Sequence, residues 1–166
     1  MKTETVFKEI GKGVAFRPEL SDMMESILFF KDFSRPDIEN LATYVESYRV
    51  SEGSSLIREH QQDGKMYFII NGQVDLYKEN SDGSQKKLTS IRKGRILGEM
   101  SVIDNLPASA TAITAIETDI ILLTHEKLQK LCNEKPALSV KLLWRIASEL
   151  SARLRKTSGT LVTHLK

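Results

Sequence analysis

The chain has 166 residues, 40% of them hydrophobic, which is enough for one well-buried domain with a short appendage and too little for two ordinary domains. Lysine and arginine number 24 against 22 acidic residues, so no global field argues for nucleic acid, and the single cysteine, Cys132, excludes an internal disulfide or a cysteine-based zinc site. Met1 to Thr5 carry no apolar signal region and no run approaches the ~18 apolar residues of a membrane span, so the chain reads as soluble and cytoplasmic.

Residues 1–20 carry Gly11, Gly13 and Pro18 among mixed polarity and read either as a short amphipathic element or as a loosely held arm. From Ser21 the pattern is helical, with Met24, Ile27 and Leu28 on one face. An apolar hinge, Phe29 to Phe33, leads to Ser34-Arg35-Pro36-Asp37, a capping box opening a helix whose buried face is Ile38, Leu41, Ala42 and Val45. At Tyr48 the period changes to two. Short β-like runs follow at 47–50, 55–58, 66–70, 74–77, 88–91, 111–116 and 119–123, separated by turn signals. Asn71-Gly72, between Tyr67-Phe68-Ile69-Ile70 and Val74-Asp75-Leu76-Tyr77, is the strongest hairpin signal among them. Many short strands at even spacing predict a mainly β fold with flanking α: an antiparallel β-roll or jelly roll with N-terminal helices and a long C-terminal helix.

Thr124 caps a further helix, with Leu128 and Leu131 facing inward, and Pro136 opens the last one. Along it Val140, Leu143, Ala147, Leu150 and Leu154 recur at alternating steps of three and four, Leu161 continues that spacing beyond Thr157, and Leu138, Leu142 and Ile146 form a second stripe. One stripe covers a barrel. Two predict that one of them meets a second copy of the chain, over residues 137–161, as a helix pair about a two-fold axis; the alternative is a single helix docked on its own barrel. The expected division is 1–20 as arm or helix, 21–135 as the β-roll with its helices, and 136–166 as the helix for dimerisation or output.

The chemistry gathers in Ile96-Leu97-Gly98-Glu99-Met100-Ser101-Val102-Ile103-Asp104-Asn105-Leu106-Pro107-Ala108-Ser109-Ala110-Thr111. A strand end, a glycine turn, one helical turn and a tight loop before the next strand leave backbone N–H groups without ladder partners, and such groups converge on anions. This stretch resembles the phosphate-binding cassette of cyclic nucleotide-binding domains, as found in protein kinase A regulatory subunits, bacterial catabolite activators and cyclic nucleotide-gated channels. The family pattern is roughly Gly-Glu-x-Ala-Leu, a few residues, then Pro-Arg-Ala-Ala-Thr. Gly98-Glu99, Pro107 and Ala110-Thr111 match it; Ser101-Val102 replace Ala-Leu, and Ser109 replaces the first alanine. Ala108 stands where the family places the arginine that pairs with the cyclic phosphate. Gly53 and the run Phe68 to Gly72 extend the resemblance over most of residues 25–150.

The resemblance implies a non-enzymatic sensor whose ligand is cAMP or cGMP, with no other cofactor and no metal. Glu99 would accept from a ribose hydroxyl, and the N–H groups of Ser109 and Ala110 with the Ser109 hydroxyl would hold phosphate oxygens. Gly98, Met100, Ser101, Ala108 and Thr111 complete the implied site. Arg92, Lys93 and Arg95 are candidates to replace the missing cation, each with solvated charge as the alternative. A rival reading is a degenerate module that dimerises or docks without nucleotide, which Ala108 supports. A jelly-roll enzyme is the third, and it finds no support in the sequence: His60, His125 and His164 are scattered, and no P-loop or Gly-x-Ser-x-Gly motif occurs. Trp144 is expected to pack on the barrel, or to stack on a purine as the family's helix often does. The bacterial activators follow this helix with a DNA-reading module; with the chain ending at Lys166, direct DNA contact is not expected.

Overall fold

The structure, a computed structural model, describes residues 7–164, with side chains described through Gly159. Among the described residues, nine strands form two antiparallel sheets flanked by helices. Of the element or arm read over 1–20, residues 1–6 lie outside the described residues; beyond them β1 (Phe7–Lys12) pairs with β2 (Glu46–Val50), in a register that sets Glu9 opposite Tyr48. Helix α1 (Arg17–Glu25) buries Leu20 and Met24. Ile27 is buried as expected, but Leu28 is 76% exposed, because the chain leaves the helix at Ser26 and turns into a 3-10 segment, Leu28–Phe30.

Helix α2 (Arg35–Leu41) begins at the capping box read from the sequence. The Ser34 hydroxyl accepts from the Asp37 amide at 3.3 Å, and the Asp37 carboxylate accepts from the Ser34 amide at 3.1 Å. Strands β3 (Ser55–Ile57), β4 (Lys65–Asn71), β5 (Gln73–Glu79) and β6 (Gln85–Arg92) follow. After β7 (Ile96–Leu97) come α3 (Glu99–Asp104), β8 (Thr111–Thr114), β9 (Thr118–Thr124), α4 (His125–Glu134) and α5 (Pro136–His164). The sheet orders are β1-β2-β9-β4-β7 and β3-β8-β5-β6.

Asn71-Gly72 is not the hairpin its residue types suggest. β4 and β5 lie in different sheets, and the chain turns a corner there: Gly72 has φ 104°, and a Cβ on it would lie 2.7 Å from Thr118 Cα. The paired hairpin is β5–β6, closed where the Asn80 amide donates to the Ser84 carbonyl at 2.8 Å.

Strand β4 shows how the roll and its helices share one strand. Met66, Phe68 and Ile70 belong to the core under the helices, whereas Tyr67 and Ile69 point into the roll. Phe68 packs edge-on against Phe29, with ring centroids 5.1 Å apart, and beside Phe30 at 5.0 Å. Against this layer α5 buries Leu138, Leu142 and Ile146, with Leu143 and Leu150 partly buried alongside. Inside the roll, the Tyr67 hydroxyl donates to the Leu56 carbonyl at 3.0 Å. The period-two alternation continues through β7: Ile96 faces the helices and Leu97 faces the interior. The interior at that end is left open, and the site forms there.

Candidate functional site

The chain must reverse immediately after Leu97. Gly98 does so with φ 80° and ψ 10°, and a Cβ there would be driven into the carbonyl of Lys65, with the carbonyl carbon 3.1 Å away. The turn opens α3 and carries Glu99 inward, where it is 3% exposed. A carboxylate buried to this degree needs a hydrogen-bonded partner. That partner is Arg153, one guanidinium nitrogen of which donates to Glu99 Oε1, while the other donates to the Ile96 carbonyl at 3.2 Å. α5 therefore grips both the cassette carboxylate and the strand before it.

α3 is anchored behind by Val102, fully buried, whose carbonyl lies 2.7 Å from His125 Nδ1. A carbonyl only accepts, so Nδ1 carries the proton, and Gln129 Nε2 donates to the bare Nε2 at 2.8 Å. Asn105, at φ 53°, ends the helix, and Gln62 donates to its carbonyl at 2.5 Å. Ala108 is then pinned to the loop after β3: its amide donates to Gln61 and its carbonyl accepts from His60, at 3.0 and 2.9 Å.

Among the described residues, the amides of Ser109 and Ala110 donate to no protein acceptor. The Ser109 carbonyl accepts from Lys78 at 2.7 Å, and Lys78 also pairs with Glu59 on the outer side of the loop. The resulting cavity, of about 610 Å³, falls in the size range of small-molecule sites. Its floor is apolar (Ile57, Leu76, Leu97 and Ala112), and α5 contributes Leu150, Arg153, Leu154 and Thr157.

Seven of the eight residues expected from the sequence line this cavity: Gly98, Glu99, Met100, Ser101, Ala108, Ser109 and Ala110. Thr111 does not. It has already entered β8, opposite Tyr77, and its hydroxyl accepts from the Glu59 amide at 3.0 Å. None of the expected replacement cations reaches the site: Arg92 donates to Gln73, and Lys93 and Arg95 line a separate cavity. Among the described residues the cation that does is Arg153, which no local pattern marks, because the docking of α5 decides its reach. Trp144 neither packs on the barrel nor lines the cavity; it is 76% exposed. No group of three potential metal ligands occurs among the described residues, and no described helix is long and apolar enough to cross a membrane.

An antiparallel roll whose open end is closed by a strand, a glycine turn, a helical turn and a loop of unpaired amides has the form of a small-molecule-binding domain. The chain belongs to the cyclic nucleotide-binding domain family, whose profile matches residues 48–135. It is 28% identical over 124 residues to a CRP-like cAMP-activated global transcriptional regulator of Mycobacterium tuberculosis, covering 75% of this chain and 54% of the relative. It is 24% identical over 133 residues to the neuropathy target esterase sws of Drosophila ananassae, covering 76% of this chain and 9% of that protein. The chain thus spans from under a tenth to about half of the length of these relatives. Among solved structures, a cyclic nucleotide-binding domain from Methylobacillus flagellatus superposes with a TM-score of 0.82 at 26% identity, covering 95% of this chain and 89% of that one. The Thermus thermophilus catabolite activator protein shares the fold with a TM-score of 0.70 at 23% identity, covering 81% of this chain and 62% of that one.

Proposed function

We propose that the chain is a non-enzymatic, cytoplasmic sensor module that binds cAMP or cGMP in this cavity and passes the occupancy on through α5. One observation carries the reading: Arg153 of α5 holds the buried Glu99, so a ligand that approaches Glu99 meets the output helix at the same point. A ribose hydroxyl donates to Glu99, the phosphate oxygens accept from the Ser109 and Ala110 amides, and the sugar edge lies against the apolar floor. Competition for Glu99 loosens Arg153. The equilibrium between two placements of α5 shifts accordingly. With Ala108 in place of an arginine, one charge-assisted hydrogen bond of ~1.5–3 kcal/mol is missing, so binding is weaker by roughly ten- to a hundredfold than with that arginine present.

The proposed partner of α5 is a second α5. Val140, Trp144 and Leu154 remain exposed on the helix, at helical spacing. Leu150, one of the residues of the expected dimer stripe, packs instead against the chain's own core and lines the cavity, and Leu161 lies outside the described side chains. Sedimentation of Trp144→Glu tests the pairing: a dimeric parent and a monomeric variant support it, and a monomeric parent rejects it.

Ala108 also favours a second reading, a module that keeps the fold and dimerises or docks without nucleotide. Calorimetry with cAMP and cGMP separates the two. Heat of binding that is lost with the 2′-deoxy analogue supports the sensor, since Glu99 would be left without its donor. No heat and no thermal stabilisation at millimolar nucleotide supports the docking module.

A further inference from the structure

A second cavity, of about 520 Å³, lies where the 3-10 turn at Leu28–Phe30, the loop between β6 and β7, and α5 come together. It shares no lining residue with the nucleotide cavity. Four cations line it, Lys31, Lys93, Arg95 and Arg145, against one carboxylate, Glu149. Glu149 is already engaged: it pairs with Arg145 at 2.9 Å and lies 3.7 Å from Arg95. Arg145 is further fixed by donating to the Phe29 carbonyl at 3.0 Å and by sitting over the Phe29 ring. Lys31 and Lys93 make no ion pair with any described carboxylate.

The local balance is therefore three uncompensated positive charges around one concave space, in a chain whose net charge is only +2. Like charges gathered around one space repel, and a bound counter-anion relieves the repulsion. Arg145 and Glu149 provide a rigid wall, and the two exposed lysines provide flexible donors that can close over an occupant. We propose that this cavity is a second binding site, specific for a small, multiply charged phosphoryl anion, which clips α5 to the turn and the loop. An acidic protein segment fits less well. The space has the size of a small-ligand site, and Leu28 is the one large exposed apolar side chain in its lining, too little for the apolar centre of a protein interface.

Pyrophosphate is the probe. Amide chemical shifts of the full chain at low salt, titrated to about 10 mM pyrophosphate, are expected to move at residues 26–31, 93–95 and 145–149, with a rise in Tm. Lys31→Ala/Lys93→Ala, both exposed and unpaired, weakens binding by about tenfold or more, while Lys8→Ala/Lys86→Ala binds like the parent. The fit also weakens steeply between about 20 and 200 mM salt. Shifts centred on residues 98–111 would place the anion in the nucleotide cavity and overturn the proposal. So would the absence of any saturable shift, unchanged binding in Lys31→Ala/Lys93→Ala, or binding of hexaglutamate without binding of pyrophosphate.

Discussion

Gly98→Ala is the sharpest perturbation of the cassette. The residue sits at φ 80°, where an L side chain is strained by about 1–2 kcal/mol. The new methyl would also press on the Lys65 carbonyl, with the carbonyl carbon at 3.1 Å and Ile57 Cδ1 at 3.2 Å. The carbonyl belongs to the first residue of β4, which pairs with Thr124 of β9, so it cannot simply swing aside. Moving it or distorting the turn adds about 1–3 kcal/mol, as overpacking does in a tight interior. The sum, about 2–5 kcal/mol, lowers the urea midpoint by about 1–2.5 M at a slope of about 2 kcal/mol/M. Equilibrium unfolding followed by far-UV circular dichroism measures it. The turn carries Glu99, so nucleotide binding is lost along with stability. A variant within about 0.5 kcal/mol of the parent that still binds nucleotide would refute this account of the turn.

Ala108→Arg restores the family cation on a wall of the cavity and is expected to tighten cAMP or cGMP binding by about ten- to a hundredfold in calorimetry; unchanged or weaker affinity counts against the placement of the phosphate. Arg153→Ala strands the buried Glu99 and is expected to lower stability by about 1–3 kcal/mol, with Arg153→Ala/Glu99→Gln recovering part of the loss in a thermal double-mutant cycle. Asp37→Asn tests the tie between α2 and α5. Lys141, donating at 2.8 Å, holds the Asp37 carboxyl below its usual range, helped by the Ser34 hydroxyl and amide and opposed by burial. A depressed folded-state pKa stabilises above the unfolded value and is lost as pH falls through the folded one. The variant is therefore less stable by about 1 kcal/mol at pH 7, and the gap narrows from about pH 4 downward in urea midpoints taken across pH; a gap that is constant with pH excludes the ion pair as its source.

Local chemistry made much of the fold legible. Ser34 and Asp37 cap α2 reciprocally, Thr124 caps α4 by accepting from the Lys127 amide at 3.2 Å, and Pro136 opens α5. The cassette was readable because Gly98-Glu99, Pro107 and Ala110-Thr111 lie in one short stretch that matches a family pattern, and Gly98 permits the reversal by itself. What was not legible depends on distant pairing. β1 carries five exposed residues out of six and exists through its ladder to β2, which no period in Phe7–Lys12 announces. Asn71-Gly72 specifies a turn but not which sheet the next strand joins; β5 pairs with β6 and β8 across the roll, and the corner at Gly72 lies close against Thr118. On α5 both stripes were visible, yet only docking shows that Leu138, Leu142 and Ile146 bury while Trp144 stays out. Arg153 reaches a carboxylate 54 residues away in sequence, so it had no local signal at all.

The most direct test follows α5 itself. Spin labels on Cys132→Ser protein, at Ser84→Cys on the β5–β6 hairpin and Ser158→Cys on α5, report the position of the helix against the roll by pulsed dipolar spectroscopy. Saturating cAMP or cGMP is predicted to move the distance distribution, and Arg153→Ala to move it without ligand. A nucleotide that binds by calorimetry while the distribution stays fixed in both proteins would contradict the coupling of the cavity to the helix.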